Sequence, residues 1–269
     1  MIRLIASDMD GTLLDQNSNV PPETFDLIRE LRARDVRFVA SSGRRLDTLC
    51  NFFAPVVDQI DFVASNGAQV VTQGQLLDRE VFSHRTLRKL KQVVDTFDCL
   101  HLALFDDHVS YLLDDRSRFD VEVDKDLRDA CVVRDVPNPQ VNIVKVSIFC
   151  DHAEYVMDMA YVLQRELGDL LVFAPSGTRW IDVIQQGVSK ASGIEQVLDH
   201  YGIDPQDVMA FGDSMNDYEI LRYVGHPRAM SNARYAIKQI SGNVIGTNAD
   251  HAVQAELRKL ISQFDAHEA

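Results

Sequence analysis

Apolar positions in this 269-residue chain change their period several times, and each change marks a structural element. The run Ile2-Arg3-Leu4-Ile5-Ala6-Ser7 does not alternate, so it predicts a strand buried on both faces. Val36-Arg37-Phe38-Val39-Ala40 and Phe62-Val63-Ala64 read the same way. Between them, Pro21-Pro22-Glu23 suits a helix start, and Phe25, Leu27, Ile28 and Leu31 supply an apolar face as far as Arg34. Leu46, Leu49, Phe52 and Phe53 predict a second helix. Asn66-Gly67 is a turn signal, and Val70-Val71, Gly74 and Leu76-Leu77 predict a hairpin.

The pattern shifts after about Phe82. A helical stripe runs from Thr86 to Phe97, and short strands follow around His101–Phe105 and His108–Leu113. Val141, Ile143, Val146, Ile148 and Cys150, with Lys145 and Ser147 interspersed, predict a strand over 141–150 in a sheet covered on one face. A helix over Ala153–Leu167 would bury Val156, Met159, Ala160, Leu163 and Leu167, and Trp180–Ile184 is a further apolar segment. From Lys190 the earlier alternation returns. A helix extends to Tyr201, strands follow at Val208–Phe211, Arg228–Met230 and Val244–Ile245, and a last helix lies near Ala252–Phe264. Alternation interrupted by a mixed block predicts an α/β protein with a doubly wound parallel sheet. Its core would comprise residues 1–83 and 185–269, with an inserted α+β domain over 84–184.

Polar residues gather where the predicted strands end. Asp8-Met9-Asp10-Gly11-Thr12 follows the first strand and Ser41-Ser42-Gly43-Arg44 the second. Two aspartates that close repel unless a cation holds them or one is protonated. A hydroxyl before Gly43 offers a small anion nest. Lys190 opens a helix, where the dipole disfavours a cation unless an anion lies there too. Gly212-Asp213-Ser214-Met215-Asn216-Asp217 follows a short strand, and Asp213 and Asp217 can face one hard cation such as Mg²⁺. Each segment alone also fits an ordinary capped turn or a solvated lysine.

Taken in order, the four segments resemble the motifs of the haloacid dehalogenase superfamily, in particular its Cof-type branch. The chain is most similar to the bacterial sugar phosphatases of that branch across Phe38–Gly43, Phe62–Ala68 and Trp180–Ile184. The resemblance implies a Rossmann-like core with an inserted cap that sets specificity, and Mg²⁺ as cofactor. It implies Asp8 as the nucleophile of an aspartyl-phosphate mechanism and Asp10 as general acid and base. Metal ligands would be Asp8, Asp213 and Asp10, the last through its backbone carbonyl. Ser42, preferred over Ser41 because it precedes Gly43, would hold phosphoryl oxygens with Lys190 and Asn216, helped by the N–H groups of Met9 and Gly43. Asn66 and Gly67 would meet substrate, and Arg44 would meet it or form a structural ion pair. Asp217 would position Lys190 or a metal-bound water. Asp182 would be a hinge or an outer partner, and Arg179 and Trp180 would sit at the cap edge. Arg44 stands where some sugar phosphatases carry Asn, which leaves a vitamin-precursor pyrophosphate or flavin mononucleotide open as substrate. A phosphomutase and a phosphate-binding regulator without catalysis are the remaining alternatives.

The net charge of −14 argues against nucleic acid or an anionic membrane as a main partner. It also means that a phosphorylated substrate must be drawn in by local cations. No apolar stretch approaches membrane-spanning length, and no signal-peptide pattern opens the sequence. The four cysteines are scattered without a CxxC, which predicts reduced, mostly buried thiols in a cytoplasmic protein, and a monomer or homodimer is expected. The eight histidines show no zinc spacing.

Overall fold

The structure, a computed structural model, describes residues 1–114, 117, 119, 127 and 130–268. In chain order the first part contains β1 (Leu4–Ser7), α1 (Glu23–Ala33), β2 (Arg37–Ser41), α2 (Leu46–Phe52), β3 (Asp61–Ala64), β4 (Gln69–Thr72) and β5 (Gln75–Arg79). The middle contains α3 (His84–Val94), β6 (Leu100–Phe105), β7 (Ser110–Leu112), β8 (Cys131–Val132), β9 (Lys145–Cys150), α4 (Val156–Leu167), β10 (Leu171–Ser176) and β11 (Trp180–Gln185). The last part contains α5 (Lys190–Tyr201), β12 (Val208–Gly212), α6 (Tyr218–Tyr223), β13 (His226–Ala229), α7 (Tyr235–Ser241) and α8 (Ala252–Glu268). Two compact units result, Met1–Asp78 with Ser189–Ala269, and Arg79–Val188.

The first unit is built on a seven-stranded sheet ordered β13-β12-β1-β2-β3-β4-β5. Neighbours from β13 to β3 are parallel, and β4 turns back antiparallel to β3. The absence of alternation in β1 is explained by its place inside the sheet, where all four of its residues are buried. One apolar core runs from Leu4, Ile5 and Phe38 through Val63 and Ile194 to Phe211 and Leu257. Helix α1 packs on α8, and α5 on α6.

The second unit has a six-stranded sheet ordered β10-β11-β9-β6-β7-β8. One face (Leu102, Leu104, Val146, Ile148, Ile181) packs with Leu87 and Leu90 of α3 and Leu163 of α4. The other is covered as well. Phe119, Leu127 and Ala130 lie against Ala103, Phe105 and Phe149, with Trp180 packed alongside. The expectation of a sheet covered on one face is thereby corrected, because Phe119, Leu127 and Ala130 from the connection between β7 and β8 bury the second face. Strand β9 also begins later than expected, at Lys145. Before it, Phe82 N–H donates to Ile143 O at 2.9 Å and Val144 N–H to Phe105 O at 2.9 Å, so the chain is held without a regular ladder.

Two further expectations change. Val244–Ile245 makes only an isolated bridge to Ala229 rather than a strand. Of the free cysteines only Cys150 is buried, while Cys131 is exposed. No helix among the described residues is long and apolar enough to cross a membrane.

Candidate active site

Strand β1 pairs with β2 on one side and β12 on the other, so the chain winds outward in both directions from the β1/β12 boundary. A parallel sheet opens a crevice at the carboxyl ends of such strands. Asp8 lies directly after Ser7 at the end of β1, and Asp213 directly after Gly212 at the end of β12. Asp8 N–H donates to Phe211 O at 3.0 Å, so the ladder fixes the two motifs in register.

The chain then makes a tight turn over Met9–Leu13, with Gly11 at φ 76°. A Cβ on Gly11 would stand 2.7 Å from Asp213 Oδ2, so only glycine lets the two loops approach this closely. Thr12, a site residue the sequence reading did not single out, donates its hydroxyl to Asp213 Oδ1 at 3.2 Å. Its place in the DxDGT segment was the available signal.

Lys190 is seated by its own helix cap. Ser192 N–H donates to Ser189 Oγ and Ser189 N–H donates to Ser192 Oγ, a reciprocal box that fixes the first turn of α5. Gly67, at φ 104°, lies against this cap, and a Cβ there would stand 2.0 Å from Ser189 O. Gly67, expected at a substrate contact, also packs against the residue that precedes the lysine. Gly67→Ala is expected to displace Ser189 and with it the ammonium, lowering turnover about 100-fold, the scale of an ångström misplacement. Steady-state kinetics on a variant still folded by circular dichroism would check this, and wild-type turnover would refute it.

The Lys190 side chain is fully buried, and its Nζ donates to Asp8 Oδ1 at 2.5 Å and Asp217 Oδ1 at 2.6 Å. Those carboxylates are the anions that a cation in a first helical turn requires. Asp217 Oδ2 accepts from the N–H groups of Asp213 (2.9 Å) and Ser214 (3.0 Å), so this carboxylate is committed on both oxygens. Asp8, Asp213 and Asp217 each bring an oxygen within 4.8 Å of the others. Three carboxylates against one ammonium leave two negative charges in excess. Burial, then Asp217 and Asp213, push the Asp8 carboxyl well above its usual range, with Lys190 opposing. Burial, then Asp217, push Asp213 up. Burial works against the Lys190 charge, but Asp217 and Asp8 outweigh it and raise its pKa. Crowded hard oxygens with a charge deficit of two fit a divalent cation. Asp8 and Asp213 are the side chains that could hold it, since Asp217 already accepts from Lys190 and two backbone N–H groups.

Asp10 is outside this cluster. Arg44 Nη2 and Nε donate to its two oxygens at 2.7 Å each, and the guanidinium lies 5.2 Å from the centre of the Phe52 ring. Ser42 N–H donates to Val63 O at 2.9 Å, and Ser42 Oγ accepts from Arg44 N–H at 3.2 Å. Ser41 Oγ is buried with no partner among the described residues. Asn66, at φ 57°, donates its N–H to Ser42 O at 3.0 Å and accepts from Asn216 Nδ2 at 3.1 Å. The ends of β1, β2, β3 and β12 therefore meet in one unit.

Asp182, Arg179 and Trp180 belong to the other unit. Asp182 accepts from Ser147 Oγ at 2.9 Å. Arg179 donates to the carbonyls of Cys150 (3.1 Å) and Asp151 (2.5 Å), and Trp180 packs edge-on against Phe149.

The family model described as haloacid dehalogenase-like hydrolase matches residues 5–257. The chain belongs to that family. Among the haloacid dehalogenase-like hydrolases it is 29% identical over 272 residues to the 5-amino-6-(5-phospho-D-ribitylamino)uracil phosphatase YbjI of Escherichia coli strain K12, covering 100% of this chain and 98% of that protein. It is also 29% identical to the HMP-PP phosphatase of Citrobacter koseri, over 87% of this chain and 85% of that protein. The crystal structure of SMU.1108c from Streptococcus mutans UA159 shares the fold, with a TM-score of 0.87 at 23% identity, covering 97% of this chain and 100% of that one. The fold is thus a haloacid dehalogenase core with an inserted α+β cap domain, and the protein is a phosphoric monoester hydrolase.

Proposed function

We propose that the protein is a Mg²⁺-dependent phosphatase of small phosphorylated metabolites. The observation that carries this reading is the buried Asp8–Lys190–Asp217 chain beside Asp213, at the carboxyl edge of the parallel sheet. Asp8 attacks phosphorus in line, the bond to the leaving alcohol breaks, and an aspartyl-phosphate forms. Asp10 gives the alcohol its proton, then takes one from the water that attacks the same phosphorus and releases phosphate. To carry that proton, one Asp10 oxygen must leave the Arg44 fork, so substrate entry and release of Asp10 are linked. Lys190 stays charged throughout, because Asp217 retains it when the Asp8 oxygen is phosphorylated. Ser42 and Asn216 hold the remaining phosphoryl oxygens, with the N–H groups of Met9 and Gly43. Mg²⁺, held by Asp8, Asp213 and the Asp10 carbonyl, supplies the charge compensation that phosphoryl transfer needs. These local cations answer the repulsion expected between an anionic substrate and a chain of net charge −14.

For the substrate, a pyrimidine bearing a phosphorylated ribityl chain agrees with two separate indications. The sequence resembles sugar phosphatases, and such a compound presents a sugar-alcohol phosphate. The relative YbjI is named for 5-amino-6-(5-phospho-D-ribitylamino)uracil, a compound of that kind. Phosphate release should be followed from that compound, simple sugar phosphates, flavin mononucleotide and a pyrimidine pyrophosphate, each with Mg²⁺ and with chelator. Metal-dependent release from the ribityl compound above the others is expected. Preference for a plain hexose phosphate would return the sugar assignment, and no release from any ester would overturn the phosphatase reading.

A further inference from the structure

The turn after β13 binds the two aspartate loops to each other. Met230 N–H donates to Gly212 O at 3.1 Å and Arg234 N–H to Asp213 O at 3.0 Å, so its backbone is fastened to the Asp213 loop. Between them Asn232 reaches the opposite way, and its Nδ2 donates to Gly11 O at 2.7 Å. Asn232 Oδ1 accepts from Asn248 N–H at 3.3 Å, and Asn248 Nδ2 donates to Leu14 O at 2.9 Å. Gln254 Nε2 donates to Leu13 O at 3.4 Å. Side-chain amides from one stretch near the end of the chain thus take the carbonyls of Gly11, Leu13 and Leu14. The Gly11 carbonyl lies in a turn where Asp10 (ψ 123°) and Gly11 (φ 76°) depart from helical geometry. The Gly11 carbonyl belongs to the peptide that leads into Thr12, whose hydroxyl meets Asp213.

We propose that Asn232 is a positioning residue for the reaction. By tying the Gly11 carbonyl to a turn already anchored on the Asp213 loop, it sets the separation of the Asp8 and Asp213 carboxylates and hence the affinity for the divalent cation. This rests on Asp8 and Asp213 being the metal-side carboxylates. Asn232 itself is exposed and touches neither of them, so its influence passes through the backbone.

The test uses the full chain with Asn232→Ala, Asn232→Leu (similar volume, no donor) and Asn232→Gln (donor kept). Three quantities are measured: the Mg²⁺ concentration for half-maximal turnover, KM at saturating Mg²⁺, and the rise in Tm on adding Mg²⁺ without substrate. Ala and Leu are expected to need roughly five- to tenfold more Mg²⁺, the worth of one hydrogen bond. They should gain less Tm from it and keep KM within about twofold, while Gln recovers most of the loss. An unchanged Mg²⁺ requirement in Ala and Leu would overturn the proposal. So would a Leu variant that behaves as wild type, which would leave only packing, or a raised KM alone, which would make Asn232 a substrate contact. Turnover surviving in Asp8→Asn would instead overturn the nucleophile reading, and the substrate-free melts would still report on the clamp.

Discussion

Asp8→Asn is expected to leave no measurable turnover, on the order of 10⁴-fold or more below wild type, and to melt at a higher temperature than wild type in chelator. Both effects come from the same atoms. An amide of nearly identical shape cannot form an acyl phosphate, so the covalent route closes. The Asp8 carboxyl is pushed above its ordinary value of 3.8 by burial and by Asp217 and Asp213. A raised carboxylate contributes stability that is present below its unfolded value and lost as pH rises. Above the pH at which it ionises in the unfolded chain, the Asp8 carboxyl therefore weakens the fold, and Asn removes that penalty while still accepting from Lys190. The gain should be on the order of 1 kcal/mol, some 2–4 °C for a chain of this size. It should shrink when Mg²⁺ is added, because the cation compensates the wild-type charge. Calorimetry with and without chelator, beside a phosphate-release assay, would check both halves. A lower Tm would refute the electrostatic account, and turnover within about 100-fold of wild type would refute the nucleophile.

Lys190→Met should show the opposite balance. It leaves Asp8, Asp213 and Asp217 facing one another with no ammonium among them, and truncating one partner of a buried ion pair costs about 3–5 kcal/mol. In the wild type the raised pKa of Lys190 means that its contribution is fully present below its unfolded value of 10.5 and is lost only in strong alkali. Without that opposing charge, the already raised pKa values of Asp8 and Asp213 rise further, so both bind protons more readily in the fold than in the unfolded chain. The variant should therefore regain stability as pH falls below neutral, and added Mg²⁺ should restore part of it at neutral pH. Turnover should fall about 10²–10³-fold, as for loss of a preorganised donor to a developing charge. Denaturant melts at two pH values would decide. A variant equally destabilised at both would show that the lysine acts through packing alone.

Much of the site was legible because its residues stand in short segments at strand ends, where sequence position fixes spatial position. Asp8 and Asp213 each directly follow a parallel strand, and β1 and β12 are neighbours, so the two loops had to converge. Lys190 was readable from the conflict between its charge and the helix dipole. Arg44 was less readable, because both a substrate contact and an ion pair fit its place, and the structure shows it bidentate on Asp10. Asn232 carried no signal at all. Its partner is a backbone carbonyl more than 200 residues away, and no local pattern encodes that contact. In the fold, β1, β2 and α5 follow directly from their apolar runs. Strand β10 was missed because Pro175 interrupts its pattern, which is tolerable only because β10 lies at the sheet edge. The second covered face of the other sheet was hidden for a similar reason. Phe119, Leu127 and Ala130 come from a connection with no period of its own.

The position of β1 has a consequence for biosynthesis. Its ladder with β12 joins Leu4 to Val208 and Ser7 to Phe211, across the whole of the second unit. While the ribosome works through the intervening residues, β1 and β2 can pair, but the other edge of β1 stays bare and apolar. At about 5–20 residues per second that interval is roughly 10–40 s, long enough for an unpaired strand to find a wrong neighbour. Residues 79–188 are contiguous and form their own compact unit. If they fold during the wait, they draw the two halves of the first sheet together and cut the entropy of closing so long a loop. The insertion would then act as a splint for the nascent chain, and substitutions that loosen it should lower the soluble yield of a protein whose active-site residues are all intact.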